Sequence, residues 1–118
     1  MVVDDEENAL FFLSRILERS GYTVVTTSKS KEAIALAEAE KPDLIVLDIV
    51  MPEMSGGEVA AALSQKESTA KIPIIYLSAI LSKEEQSLIQ KTGKHMVVAK
   101  PVTGTELTDK IQKALSGS

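Results

Sequence analysis

Four short apolar runs, rich in valine, isoleucine and leucine, constrain the fold of this chain more than any other feature. They are Val2-Val3, Leu44-Ile45-Val46-Leu47, Ile74-Ile75-Tyr76-Leu77 and Met96-Val97-Val98-Ala99. Apolar runs without alternation are typical of strands that are buried on both faces, as in a parallel sheet. Each run is followed directly by polar or charged residues, namely Asp4-Asp5, Asp48, Ser78 and Lys100. Because the carboxyl ends of parallel strands share one edge of the sheet, we expect these side chains to converge there.

Helical patterns alternate with these strands along the chain. Residues 7–20 predict a first helix, because apolar side chains recur on one face and Gly21 stands where a helix commonly ends. That face comprises Leu10, Leu13, Ile16 and Leu17. Residues 22–25 predict a second strand, shorter and more polar, at an edge of the sheet. Residues 31–40 predict a second helix, which is rich in alanine and ends ahead of Pro42.

The later helices are marked by capping boxes, in which a side chain and the backbone satisfy each other's open hydrogen bonds. The pairs are Ser55 with Glu58, Ser82 with Glu85, and Thr103 with Glu106. The last helix also has apolar residues at i, i+4 and i+8, a stripe that packs on a sheet. The stripe consists of Leu107, Ile111 and Leu115.

Strict alternation of five strands and five helices predicts an α/β fold in which residues 1–118 form a single domain. Because connections between parallel strands are nearly always right-handed, only a few strand orders are possible. The commonest is the flavodoxin-like (βα)5 three-layer sandwich, whose parallel five-stranded sheet has the strand order 2-1-3-4-5. In that order strands 1 and 3 are neighbours.

The first strand is shorter than the roughly five or six residues of a typical strand. Two explanations stay open: residues missing before Met1, or a start at Met1.

Composition excludes several classes of function. The net charge is −4 and there is no basic stripe, so we expect no direct binding of nucleic acid. No apolar stretch approaches the roughly 20 residues of a membrane span, and no signal peptide opens the chain. The chain has no cysteine and needs no disulfide bond. We therefore expect a cytoplasmic protein that does not bind a membrane.

The acidic residues at the ends of strands 1 and 3 suit a divalent cation. Mg²⁺ prefers oxygen ligands and keeps several waters, so one or two carboxylates are typical of its protein sites. Asp5 and Asp48 are the candidate direct ligands, and Asp4 is the candidate to hold a metal-bound water. The backbone carbonyl of Val50 would supply a further oxygen if the loop after Asp48 curls back.

The same edge of the sheet also suits a phosphoryl group. A carboxylate can act as a nucleophile and form an acyl phosphate, and Asp48 lies at the middle of the predicted edge. Phosphoryl transfer depends mostly on positioning and on neutralising the equatorial oxygens. Mg²⁺, the ammonium group of Lys100 and the hydroxyl group of Ser78 would share that task.

Four sequence elements together carry a resemblance over essentially the whole chain. They are Val2-Val3-Asp4-Asp5-Glu6, Asp48-Ile49-Val50-Met51-Pro52-Glu53-Met54-Ser55-Gly56, Ser78-Ala79 and Lys100-Pro101. In order and spacing, the chain resembles the receiver domains of two-component response regulators. A lone Asp-Asp or Lys-Pro pair would be unspecific, whereas the stretch that begins at Asp48 is specific and the four elements together are very specific.

The resemblance implies that Asp48 accepts a phosphoryl group from a histidine kinase or a histidine phosphotransfer protein, in a Mg²⁺-dependent reaction. Asp4 and Asp5 would be the acidic pair at the metal, Lys100 the phosphate partner and Ser78 the switch hydroxyl. Phosphorylation would rearrange the surface of the predicted fourth helix, fifth strand and fifth helix, and so control a downstream effector protein or output domain. The resemblance implies self-catalysed phosphorylation and dephosphorylation only, not an enzyme of metabolism, and a monomer or a phosphorylation-dependent dimer.

The chain departs from the family at Val97, three positions before Lys100, where an aromatic residue is usual. Valine has no ring to relocate and is stiff at χ1, so the usual coupling between switch hydroxyl and ring should be missing. In the first helix Phe11 and Phe12 are adjacent, so one of them points away from the main apolar stripe. Its exposure is either ordinary or part of the docking face for the kinase that the resemblance implies.

Two other functions share part of this constellation. A haloacid-dehalogenase-like phosphatase also uses an aspartate nucleophile with Mg²⁺, but it needs a second acid two residues after the nucleophile, and here that residue is Val50. A flavodoxin needs a phosphate-binding loop rich in serine, threonine and glycine after the first strand. Here that position holds four acidic residues, at 4–7, which would repel a phosphate. The receiver interpretation is favoured over both.

Overall fold

The computed structural model of the protein describes residues 1–78, 96–99 and 103–116. Its elements, in chain order, are β1 (Val2–Val3), α1 (Glu7–Arg19), β2 (Thr26–Thr27), α2 (Ser30–Glu40), β3 (Ile45–Asp48), α3 (Gly56–Ser64), β4 (Ile74–Ser78), β5 (Met96–Ala99) and the C-terminal helix (Gly104–Ser116). Among these residues no helix combines the length and the apolar composition that crossing a bilayer requires.

The five strands form one parallel sheet in the order β2-β1-β3-β4-β5, which confirms the predicted topology. β1 lies between β2 and β3, with Val2 opposite Thr26 on one side and Val46 on the other. The acidic residues after β1 and at the end of β3 therefore share one edge of the sheet.

Apolar side chains cover both faces of the sheet, as the unalternating runs predict. Neighbouring residues of one strand enter different apolar clusters: Val3 and Leu47 belong to one, Val2 and Val46 to the other. Because successive side chains of a strand point to opposite faces, the two clusters lie on opposite sides of the sheet. The first cluster includes Ala33 and Ala37 of α2 and Val59, Ala60 and Leu63 of α3, and the second includes Leu10, Leu13 and Leu17 of α1 and Leu107 and Ile111 of the C-terminal helix. The result is the expected three-layer sandwich.

Helix ends follow the local signals in the sequence. After α1, Gly21 adopts a φ of +95°, the left-handed conformation that favours glycine. At α3 the capping box is complete, with the Glu58 N–H donating to Ser55 Oγ and the Ser55 N–H donating to the Glu58 carboxylate. Before the C-terminal helix, Thr103 Oγ1 accepts from the Glu106 N–H at 3.1 Å. The capping box predicted at residues 82 and 85 lies outside the described residues.

Two details of the predicted fold are wrong. The second strand is Thr26–Thr27 and not residues 22–25, because β1 offers only Val2 and Val3 for pairing, and the register places them opposite Thr26 and Thr27. The third residue of the apolar stripe on the C-terminal helix, Leu115, is 43% exposed. It borders an open cavity of about 440 Å³ instead of packing under the sheet.

Candidate functional site

Three carboxylates meet at the C-terminal edge of the sheet. One oxygen from each of Asp4, Asp5 and Asp48 lies within 4.8 Å of the other two. Asp4 and Asp48 are buried, with 1% and 5% of their surface exposed, whereas Asp5 is exposed. Negative charges at this spacing repel one another, most strongly where burial removes the screening by water, so the cluster favours a bound cation.

Strand pairing brings these carboxylates together. Val3 lies opposite Leu47, so the residues that follow, Asp4 and Asp48, come abreast at the same edge. The Oδ1 atom of Asp4 accepts a hydrogen bond from the N–H of Glu6 at 3.0 Å. An aspartate that bonds the backbone two residues on forms a local turn, and this turn leads the chain from β1 into α1.

The donor set of the cluster fits Mg²⁺. All three side chains offer oxygen, which is the ligand atom this cation prefers, and their oxygens are close enough to share one ion. Val50, predicted to contribute its carbonyl, follows Asp48 by two residues, and its side chain is 66% exposed. A role for its carbonyl as a ligand stays a prediction.

The C-terminal ends of β4 and β5 continue the same edge of the sheet beyond β3. Ser78 is the last residue of β4 and lies opposite Ala99, the last residue of β5, while Asp48 lies opposite Leu77. Lys100 and the side chain of Ser78 lie outside the described residues, so their roles stay predictions. Val97, which stands where the family that the chain resembles usually has an aromatic residue, is 43% exposed.

The loop between β3 and α3 is closed tightly at its base. The N–H of Gly56 donates to the carbonyl of Ile49 at 2.8 Å, and the N–H of Ile49 donates to the carbonyl of Leu77 at 3.2 Å. A Cβ atom on Gly56 would collide with the backbone carbonyl of Asp48 and come within 2.8 Å of the Ile49 Cα atom. Glycine is therefore needed here so that the start of α3 can lie directly against the end of β3.

One residue that contacts this loop was not predicted. The side chain of Ser30, in the first turn of α2, is buried, and its hydroxyl donates to the carbonyl of Pro52 at 3.0 Å. The same hydroxyl accepts from the N–H of Met54 at 3.2 Å. A serine at the start of a helix predicts an N-cap, and no local pattern reveals a contact with residues more than twenty positions away.

Comparison with known proteins identifies the family to which this chain belongs. The sequence matches the family model of the response regulator receiver domain over residues 1–112. It is 39% identical over its whole length to the alkaline phosphatase synthesis transcriptional regulatory protein PhoP of Bacillus subtilis, and spans 48% of that protein. It is 33% identical to the polar-differentiation response regulator DivK of Brucella ovis, over 98% of this chain and 94% of DivK.

Solved structures agree with these relatives. The chemotaxis protein CheY4 of Vibrio cholerae superposes with a TM-score of 0.89 at 29% identity, over 97% of this chain and 95% of that one. The receiver domain of a signal transduction histidine kinase from Syntrophus aciditrophicus gives a TM-score of 0.87 at 28% identity, over 98% of this chain and 88% of that one. Strand order, acidic cluster and relatives all lead to one conclusion: the chain belongs to the response regulator receiver domains of two-component signal transduction.

Proposed function

We propose that this chain is a phospho-acceptor switch, which takes a phosphoryl group onto Asp48 in a Mg²⁺-dependent reaction. The observation that carries the proposal is the meeting of three carboxylates, from Asp4, Asp5 and Asp48, within 4.8 Å at the ends of β1 and β3. Receiver domains bind Mg²⁺ at an acidic pocket, and this cluster has the oxygen donors that such a pocket needs.

The chemistry assigned to Asp48 is a single displacement at phosphorus. A carboxylate oxygen of Asp48 forms a bond to the phosphorus atom, the bond from phosphorus to the donor's histidine nitrogen breaks, and its electron pair stays on that nitrogen. The product is an acyl phosphate. A bound Mg²⁺ would supply neutralisation of the phosphoryl oxygens. In this proposal the Lys100 ammonium and the Ser78 hydroxyl contact the other phosphoryl oxygens, and Val50 contributes its carbonyl to the metal.

The phosphoryl donor in this proposal is a histidine kinase or a histidine phosphotransfer protein. α1 presents Phe11 and Phe12 with 66% and 54% of their surface exposed. The guanidinium carbon of Arg15 lies 5.5 Å from the ring centroid of Phe11, which holds that ring at the surface. Exposed aromatic side chains of this kind are typical of protein contact surfaces, and they support a docking role for α1.

The proposal extends to the output and the setting of the switch. Residues 1–118 act as one receiver domain in the cytoplasm, without direct contact to nucleic acid or membrane. Phosphorylation changes the surface around β5 and the C-terminal helix, which controls an effector protein or an output domain, as a monomer or as a phosphorylation-dependent dimer. The chain spans about half the length of PhoP, so the transcriptional role named for PhoP is a property of that longer protein.

Intact-mass measurement tests the central step. Incubation of the chain with acetyl phosphate and Mg²⁺ should add one phosphoryl group, and Asp48→Asn should abolish the addition because it removes the nucleophile. Asp43→Asn is the matched control, since Asp43 is an exposed residue just before β3, away from the acidic cluster. Equal labelling of the parent and Asp48→Asn would assign the nucleophile elsewhere.

A further inference from the structure

The hydroxyl of Ser30 does not serve its own helix. Lys29 is the N-cap residue of α2, and Ser30 is the first residue of that helix. Instead of capping α2, the Ser30 hydroxyl bonds both the carbonyl of Pro52 and the N–H of Met54 in the loop after Asp48. Ser30 itself is only 4% exposed, whereas Pro52 is exposed and Met54 is half-buried, so the hydroxyl reaches from the interior to a loop at the surface.

The loop segment that Ser30 holds is strained. Glu53 has a φ of +70°, and the N–H of Met54 donates to the carbonyl of Pro52 at 2.8 Å. This combination describes a γ-turn with a positive φ at its central residue, a conformation that is rare and strained for residues other than glycine. Such a conformation persists only when its surroundings fix it from several sides.

Hydrogen bonds fix this loop at its base and at its tip. At its base, the N–H of Gly56 donates to the carbonyl of Ile49. At its tip, the Ser30 hydroxyl bridges the two ends of the γ-turn. The Nζ atom of Lys31 also lies 3.6 Å from the Glu53 carboxylate, but both side chains are mostly exposed, and exposed pairs contribute little.

We infer that Ser30 is a positioning residue: it holds the β3–α3 loop in the strained shape that sets the course of the backbone from Asp48 through Val50 to α3. The reason is that Ser30 is the buried group that bonds both ends of the γ-turn, four and six residues after Asp48. Where this inference concerns Mg²⁺ it rests on the proposed function, because Val50 is the proposed carbonyl ligand. The effect on loop shape is independent of the metal.

Hydrogen exchange of the metal-free protein tests the loop shape directly. Ser30→Ala removes the hydroxyl, so the amide of Met54 should exchange about fivefold faster or more, the factor expected from loss of one hydrogen bond. Ser30→Gly, which also lacks the hydroxyl, should give the same result. Thr69→Ala is the matched control, because the buried Thr69 hydroxyl also donates to a backbone carbonyl, that of Leu63 at 2.6 Å, beyond the end of α3.

A magnesium titration followed by NMR at constant ionic strength tests the consequence for the site. Ser30→Ala should raise the Kd for Mg²⁺ about tenfold, the lower end of the effect seen for residues that orient metal ligands. Thr69→Ala should lose stability through its own missing bond but keep the Kd within about twofold of the parent.

The outcomes separate this inference from the proposed function. Unchanged exchange at Met54 in both Ser30 variants, or equal acceleration in Thr69→Ala, would overturn the inference, as would a Kd that rises equally in the Ser30 and Thr69 variants. A parent chain that binds no Mg²⁺ would count against the proposed function instead. In that case the exchange rates in the metal-free protein still decide whether Ser30 holds the loop.

Discussion

Gly56 shows how a single residue allows α3 to begin directly against the C-terminal end of β3. Its missing side chain lets the first turn of α3 approach the backbone of Asp48 and Ile49 so closely that a Cβ atom has no room. Gly56→Ala should therefore lower the free energy of unfolding by roughly 1–3 kcal/mol, the usual effect of overpacking, although alanine is the better helix former. Urea denaturation measures this difference.

Gly104→Ala provides the matched control. Gly104 is also the first residue of a helix, and an added Cβ would meet only the side chain of Ile16, at 3.4 Å, which is an ordinary van der Waals distance. Because alanine has the higher helix propensity, this variant should match or exceed the parent in stability. If Gly56→Ala and Gly104→Ala behave alike, the close approach at Asp48 has no energetic consequence.

At the scale of elements, local signals determined helix ends better than strand positions. Ser55 forms the predicted capping box and Gly21 ends α1 as predicted. Thr103 accepts the predicted bond from the Glu106 N–H, while its own hydroxyl donates to the Glu106 carboxylate. Each of these signals bonds or turns the backbone within a few residues. The second strand was misplaced because its extent depends on β1, a separate element with only Val2 and Val3 to offer. The hydrophobic pattern of one strand does not reveal how long the neighbouring strand is, and therefore which of its own residues will pair.

For the site too, some features could be predicted from the sequence and others only from the structure. The meeting of Asp4, Asp5 and Asp48 follows from sequence, since Asp4 and Asp5 come directly after β1, Asp48 ends β3, and the strand order makes β1 and β3 neighbours. The contact of Ser30 with the loop of Pro52 does not follow, because it depends on how α2 and α3 pack together on one face. Sequence motifs identify the carboxylates of the candidate site. A residue that supports the loop beside them, such as Ser30, is identified only from the packing of the helices in the structure.

The short first strand leads to a prediction of pH dependence in a chain that begins at Met1. The terminal ammonium group donates to the carbonyl of Leu44 at 2.9 Å in a buried position. Burial lowers the pKa of this amino group from 8.0 to about 6, although the nearby Asp43 carboxylate acts in the opposite direction. Between these values the unfolded chain binds the proton more tightly. Stability should therefore rise from pH 6 to pH 8, by at most about 2 kcal/mol.

Urea denaturation of two forms of the chain measures this effect. In the N-terminally acetylated form, an amide N–H can still donate to Leu44 but has no charge to titrate. Its stability should lack the rise between pH 6 and pH 8, while all other titrating groups are shared by both forms. Equal pH slopes in the two forms would show that the amino group titrates normally.

For the whole molecule, the apolar core and the acidic cluster have opposite effects on the free energy of folding. The two apolar clusters hold β1 and β3 side by side, and this pairing forces Asp4 and Asp48 together in a buried position. Like charges at that distance destabilise the folded chain, so the free energy of folding should depend on a cation that relieves the repulsion. If the proposed Mg²⁺ binds at this cluster, one ion links stability to the proposed function.

Thermal unfolding with and without Mg²⁺ tests this linkage, with KCl used to match ionic strength. Near-saturating Mg²⁺ should stabilise the parent by about 1–3 kcal/mol and raise its Tm by several degrees, because the ion binds only the folded chain. Asp5→Asn should lose most of this gain, since it removes a carboxylate from the cluster, yet it should be at least as stable as the parent without metal. Glu6→Gln, an equal change of charge at the neighbouring exposed residue, should keep most of the gain. An equal gain in the parent and in Asp5→Asn would mean that Mg²⁺ acts elsewhere on the chain and that the three carboxylates do not form its site.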